Sequence, residues 1–167
     1  MGQLVETVVE DERWAGLGLD ALAEAAARAA LSGLGLAADG FRIALLACDD
    51  ARIAGLNADF RGKPAPTNVL SWPSEERAAE FVGEEPERPE AGTEDNPEDL
   101  GDIAISWETC AREAAEQGKP MEAHVAHLVV HAVLHLLGYD HVEDEDAALM
   151  EGHEVRILAS MGLPDPY

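Results

Sequence analysis

Cysteine is scarce in this chain. Its two cysteines, Cys48 and Cys110, are far apart and form no CxxC pair. That excludes a disulfide framework and suits a reducing compartment. No run approaches the roughly 18 apolar residues that mark a membrane span, so no membrane partner is expected. The opening residues, MGQLVETVVEDERW, lack the basic start and apolar stretch of a signal peptide. A soluble cytoplasmic protein is therefore expected. Basic residues are the most informative shortage: eleven Lys and Arg stand against 34 Asp and Glu, for a net charge of −23. This argues against diffuse electrostatic attachment to nucleic acid, which relies on basic surface. It leaves room for a local basic cleft. Much of the acid is concentrated in residues 75–99, where eleven carboxylates face only Arg77 and Arg88.

At 167 residues the chain suits one domain, 1–167, with a sizeable core. Apolar or β-branched runs at 4–9, 41–48, 67–72 and 100–106 read as strands. Helices are expected at 19–34, 51–60, 107–117, 121–137 and 145–161. Asp49 and Asp50 resemble an N-cap for the second of these. Residues 61–66, Arg-Gly-Lys-Pro-Ala-Pro, read as a turn. The acidic stretch 75–99, with three prolines and few large apolar residues, reads as a mobile surface loop. Four strands interleaved with helices predict an α+β domain with one covered sheet. Strand order does not follow from the pattern.

What the chain does have is HAVLHLLGYDH, residues 131–141. His131 and His135 sit one turn apart on one helix face, about 5–6 Å between Cβ atoms, so both imidazoles can reach one metal ion. Gly138 suits a left-handed helix stop and lets the chain return His141 as a third ligand. Three histidines with no evident fourth side chain describe a catalytic zinc site, which keeps one position open. His127 shares the face, but about 12 Å of helix rise separates it from His135, so the three cannot share one ion. His124, His127 and His153 read as core, supporting or surface histidines rather than direct ligands.

The spacing matches the zincin-like metal helix of the metzincin proteases, H-E-x-x-H-x-x-G-x-x-H. Their general-base glutamate follows the first histidine; here that residue is Ala132. Phosphodiester chemistry would need a cation at the phosphate. Arg61 and Lys63, in the turn before the third strand, are the candidates, although the residues alone favour a solvated loop charge for Arg61.

Three blocks carry a family resemblance: LNADFRGKPAPTNVLSWP at 56–73, LGDIAIS at 100–106 and HAVLHLLGYDH at 131–141. They closely resemble the YbeY family of bacterial endoribonucleases involved in ribosomal RNA maturation. The resemblance covers most of the chain, with the three motifs in the family's order. It implies a zinc-dependent hydrolase, an endonuclease specific for single-stranded RNA and not DNA. It also implies roles in small-subunit ribosomal RNA maturation and ribosome quality control. It implies that His131, His135 and His141 bind one Zn2+, that Arg61 is functionally important, and that the fold is an α/β sandwich with a mixed four-stranded sheet. Lys63 would assist in RNA binding. Two departures stand out. The segment 75–99 is longer than a minimal connection, and its charge would repel RNA unless it points away or engages a protein partner. Trp72 stands where the motif is associated with phenylalanine. Two other readings stay open: a metallopeptidase-like hydrolase, and a non-catalytic ribosome-assembly factor stabilised by zinc. The ligand set alone does not separate zinc from nickel or another divalent ion. The group that moves the proton, the cut site and the oligomeric state are not legible in the residues.

Overall fold

The structure, a computed structural model, describes residues 3–167. The element order is β1 (Val5–Val9), α1 (Arg13–Leu17), α2 (Leu19–Gly33), β2 (Phe41–Cys48), α3 (Asp50–Arg61), β3 (Val69–Pro73), β4 (Glu98–Ser106), α4 (Trp107–Glu116), α5 (Met121–Leu136) and α6 (Asp144–Ser160). The strands form one sheet in the order β1-β2-β4-β3. β1, β2 and β4 run parallel, and β3 pairs antiparallel with β4. This is the single α+β domain with a mixed four-stranded sheet that was expected. No helix among the described residues is long and apolar enough to cross a membrane.

Period-2 alternation sorts the side chains of the sheet. Ile43, Leu45, Ile103 and Ile105 enter the main core, which α2, α5 and α6 cover. The opposite face holds a smaller cluster of Leu70, Ala104 and Cys48 under Ile53 of α3. Trp72 is accommodated at the margin of that cluster, its ring 5.2 Å from Phe60. α2 presents Ala23, Ala26, Ala27 and Ala30 to the core, all fully buried. Such small residues let α5 approach closely. α5 is apolar on most of its surface, with Val125, Val129, Val130, Val133, Leu134 and Leu136 all at 1% exposure or less. A helix buried to this extent is an interior element. Its histidines therefore sit on an element held from several sides.

Three elements differ from expectation, β3 by starting at Val69, two residues later than expected. α1 went unrecognised because five residues are too few for a helical period. It is fixed by one large side chain, Trp14, which is fully buried and donates its indole N–H to the Cys48 carbonyl at 2.9 Å. β4 starts at Glu98, two residues earlier than expected. Gly40 offers its carbonyl to the backbone N–H of both Gly92 and Glu98, at 2.9 and 2.8 Å. This draws the end of the acidic segment into the sheet, with a register shift between Arg42 and Ile43.

The same segment is tied to the end of α5. Arg77 is buried and donates to the carbonyls of Leu136 at 3.0 Å and Leu100 at 3.2 Å, and to Ser74 Oγ at 2.9 Å. A cation at a helix C-terminus satisfies an orphan carbonyl and complements the helix dipole. Gly138, with φ +103°, passes so close that a Cβ there would lie 2.3 Å from the Arg77 carbonyl oxygen. Glycine is thus required twice, for its φ and for this close approach. Further along, the Gly83 N–H donates to Asp146 of α6 at 2.9 Å. Glu85 accepts from the Tyr139 hydroxyl and from His153 Nε2.

Arg77→Ala should strip the Leu136 carbonyl of its side-chain partner, leave the Leu100 carbonyl with the Ser74 N–H alone, and lower unfolding stability by about 2 kcal/mol. Urea titration checks this; a loss under about 0.5 kcal/mol, the range of an ordinary surface change, would mean the arginine is not holding the helix end.

Candidate metal centre

His131 and His135 project from the last two turns of α5, and His141 returns from the turn after Gly138. The ligand atoms of the three lie within 4.8 Å of one another. Their ring centroids are separated by 4.6, 5.3 and 5.1 Å. His131 and His135 are partly buried, whereas His141 is exposed, so the cluster opens to solvent on one side. A cavity of about 330 Å³ adjoins it, lined by His131 and His141 together with residues of α6.

The hydrogen bonds of the rings decide their tautomers. His135 Nδ1 lies 3.0 Å from the Tyr139 carbonyl, which can only accept, so the ring proton is on Nδ1. His131 Nδ1 faces Glu154 and donates to that carboxylate. Both Nε2 atoms are then bare lone pairs, yet they stand 3.1 Å apart. Two lone pairs at that distance are brought together by a shared cation, whether a metal ion or a proton. For tetrahedral Zn–N bonds the expected N···N separation is about 3.3 Å. The donor set and its spacing therefore fit a divalent cation bound by three imidazoles. Among the described residues, no fourth side chain joins this group.

Electrostatics favour the same protonation state. His135 is pushed down to about 4, first by burial and then by the neighbouring His131 and His141. Burial pushes Glu154 upward, but hydrogen bonds from His127, His131 and Tyr167 outweigh it and hold the carboxyl at about 2. The cluster thus combines a His135 held neutral with a buried anion behind His131.

The remaining predicted residues are distributed as follows. His124 is buried near the start of α5 and pairs with Glu113 at 2.9 Å. His153 sits between Glu85 and Arg156. His127 stands one turn before His131, with its ring edge-on at 6.2 Å, and belongs to a second group with His131 and Glu154. Ala132 is buried in the core and offers no proton acceptor. Arg61 ends α3 and Lys63 follows Gly62, whose left-handed φ of 70° closes the helix. Asn57 braces this turn by donating to the Ala65 carbonyl at 2.9 Å. Both cations are exposed, and neither lines the cavity beside the histidines.

Three participants escaped the sequence reading: Glu154, Tyr167 and the Tyr139 carbonyl. Glu154 did leave a signal. It shares the apolar stripe of α6 with Met150, Ile157 and Leu158 and is fully buried. A carboxylate on such a stripe requires a partner.

The family model described as Endoribonuclease YbeY matches residues 9–162. The chain belongs to the YbeY family. A YbeY relative from Cereibacter sphaeroides, named Endoribonuclease YbeY, is 63% identical over 167 residues, covering 100% of both chains. Another of that name, from Paracoccus denitrificans, is 56% identical over 99% of this chain and 90% of its own. A third, from Jannaschia sp., is 53% identical over 98% of this chain and 99% of its own. Among solved structures, TM1509 from Thermotoga maritima superposes with a TM-score of 0.55 at 20% identity, covering 95% of this chain and 92% of that one. That likeness shows a shared fold.

The depressed pKa of His135 has a testable consequence. An unfolded histidine titrates near 6.5, so between about 6.5 and 4 the unfolded chain binds the extra proton. The unfolding midpoint of metal-free protein should hold above pH ~6.5 and fall as pH drops towards 4. His135→Gln, which cannot titrate, should make that fall shallower. Equal slopes in both proteins would show that His135 is not held neutral by the fold.

Proposed function

We propose that this protein is a metal-dependent endoribonuclease that cleaves single-stranded RNA in the cytoplasm. It serves maturation of small-subunit ribosomal RNA and ribosome quality control. His131, His135 and His141 hold one divalent cation, with Zn2+ as the assigned metal. The observation that carries the reading is the pair of bare Nε2 atoms at 3.1 Å, each ring locked by its Nδ1 partner. The names of the relatives supply the reaction class.

Hydrolysis of a phosphodiester needs an activated water and an offset for negative charge on the phosphoryl group. A cation bound by the imidazoles supplies Lewis acidity, which acidifies water and polarises a phosphoryl oxygen. The chain supplies the rest. Glu154 and the Tyr139 carbonyl keep His131 and His135 in the tautomer that points a lone pair at the centre. The exposed side of the cluster at His141 admits the substrate. Arg61 supplies a planar guanidinium that pairs two N–H groups with phosphate oxygens, and Lys63 adds a second positive charge. With a net charge of −23, RNA must meet the protein at such a local basic turn. The acidic segment 75–99 repels RNA unless it points away from the cleft or engages a protein partner.

The buried Ala132 disfavours peptide hydrolysis by the metzincin route. Three converging ligands, with no fourth among the described residues, favour a reactive centre over a closed structural one.

The test uses protein loaded with Zn2+ and a single-stranded RNA. Chelation should abolish cleavage and Zn2+ should restore it. His131→Ala should be inactive. Arg61→Ala should lose about 100-fold in kcat/KM with metal content unchanged. Cleavage that survives both substitutions would assign the activity to a contaminating nuclease. Chelator-sensitive cleavage of peptides without cleavage of RNA would overturn the reading in favour of a peptidase.

A further inference from the structure

The three imidazoles are not equivalent. His135 leans on a backbone carbonyl, whereas His131 leans on a carboxylate. Glu154 is fully buried, and both of its oxygens are engaged. Oε1 takes the Nδ1–H of His131. Oε2 accepts from the Tyr167 hydroxyl and lies 3.8 Å from His127 Nε2. His127 Nδ1 is buried without a partner, so its ring proton belongs on Nε2, the nitrogen that faces Glu154. The Tyr167 ring stands edge-on to His127 at 5.7 Å, with its hydroxyl 3.5 Å from His127 Nε2. Tyr167 also lines the cavity beside His131 and His141 and is 61% exposed.

We propose that Glu154 is the positioning residue of His131, and that the Tyr167 hydroxyl, backed by His127, is the clamp that holds Glu154 in place. The inference rests on the metal-centre reading. One donor on each oxygen, with His127 Nε2 3.8 Å from Oε2, selects a single carboxylate rotamer. That rotamer aims Oε1 at Nδ1 and thereby fixes the orientation of the His131 ring. The negative charge behind the ring also makes Nε2 a stronger donor to a cation. Removing the phenol frees one side of Glu154 and lets the ring swing. Replacing the carboxylate by an amide keeps an acceptor but removes the charge.

His127, His131 and Glu154 also satisfy the spacing of a cation site of their own. Occupation of both sites would require His131 to give up its ring proton and bridge two cations. The clamp needs no such step.

Tyr167→Phe and Glu154→Gln separate geometry from charge. The readouts are Co2+ affinity by competition with a chromophoric chelator, the d–d spectrum of the Co2+ protein, and thermal unfolding of the metal-free protein. Co2+ affinity should fall about 10-fold in Tyr167→Phe and about 10- to 100-fold in Glu154→Gln, with altered d–d bands in both. A purely structural role would lower the unfolding midpoint and leave the bands of the folded protein unchanged, which would overturn the inference. Tyr167→Phe changes an exposed side chain, so it keeps the test decisive if Glu154→Gln fails to fold. Two Co2+ per wild-type chain would also overturn it, in favour of the second site. Wild type that takes up no Co2+ would overturn the metal centre itself. Wild-type binding with both variants unchanged would overturn the clamp alone.

Discussion

Two nitrogen lone pairs 3.1 Å apart, on rings whose protons are already committed elsewhere, set the central constraint of this molecule. Neither ring can turn away cheaply. His135 would give up the Tyr139 carbonyl, and His131 would leave Oε1 of the buried Glu154 carboxylate without its donor. A buried anion without its donor costs several kcal/mol in order-of-magnitude terms. The arrangement suits a cation shared by the two nitrogens. It is a preorganised polar arrangement of the kind that folds maintain at functional sites and compensate for elsewhere.

The compensation lies in the packing of α5. Its valines and leucines are buried against α2, β3, α4 and α6, so the helix cannot shift to separate its histidines. Its C-terminal end is held just as firmly. Arg77 binds the Leu136 carbonyl, and the chain leaves through Gly138 directly against the Arg77 backbone. That turn delivers both the Tyr139 carbonyl and His141. α6 then brings Glu154 from the other side. The acidic segment, which looked like a mere insertion, supplies the arginine that holds the helix end beside the histidine cluster. It also supplies Glu85, which takes the Tyr139 hydroxyl. One tyrosine thus joins the segment through its side chain and His135 through its carbonyl.

Much of this was legible because it rests on local periodicity. The four-residue histidine spacing, the glycine stop and the bounds of β2 follow from how helices and strands repeat. Strand order did not, because placing β4 between β2 and β3 depends on contacts across the sheet. α1 rests on one tryptophan and has no period to detect. Glu154 was readable in principle as a charge on an apolar stripe, but its partner His131 lies on another helix. Tyr167 gave no signal at all, since an isolated tyrosine beyond the last helix has no pattern to break. Arg61 was singled out by its turn and by the family resemblance. In the structure it is exposed at the end of α3, away from the cavity lining, so its role depends on the path of a bound strand.

The most direct test of the account is X-ray absorption at the metal edge, on protein purified without a histidine tag or nickel column, together with metal analysis. The account predicts one divalent cation per chain, three imidazole nitrogens at about 2.0–2.1 Å, and a light oxygen atom in the remaining position. A closed sphere of four protein ligands, a sulfur donor, or a chain that binds no metal in its folded state would contradict it.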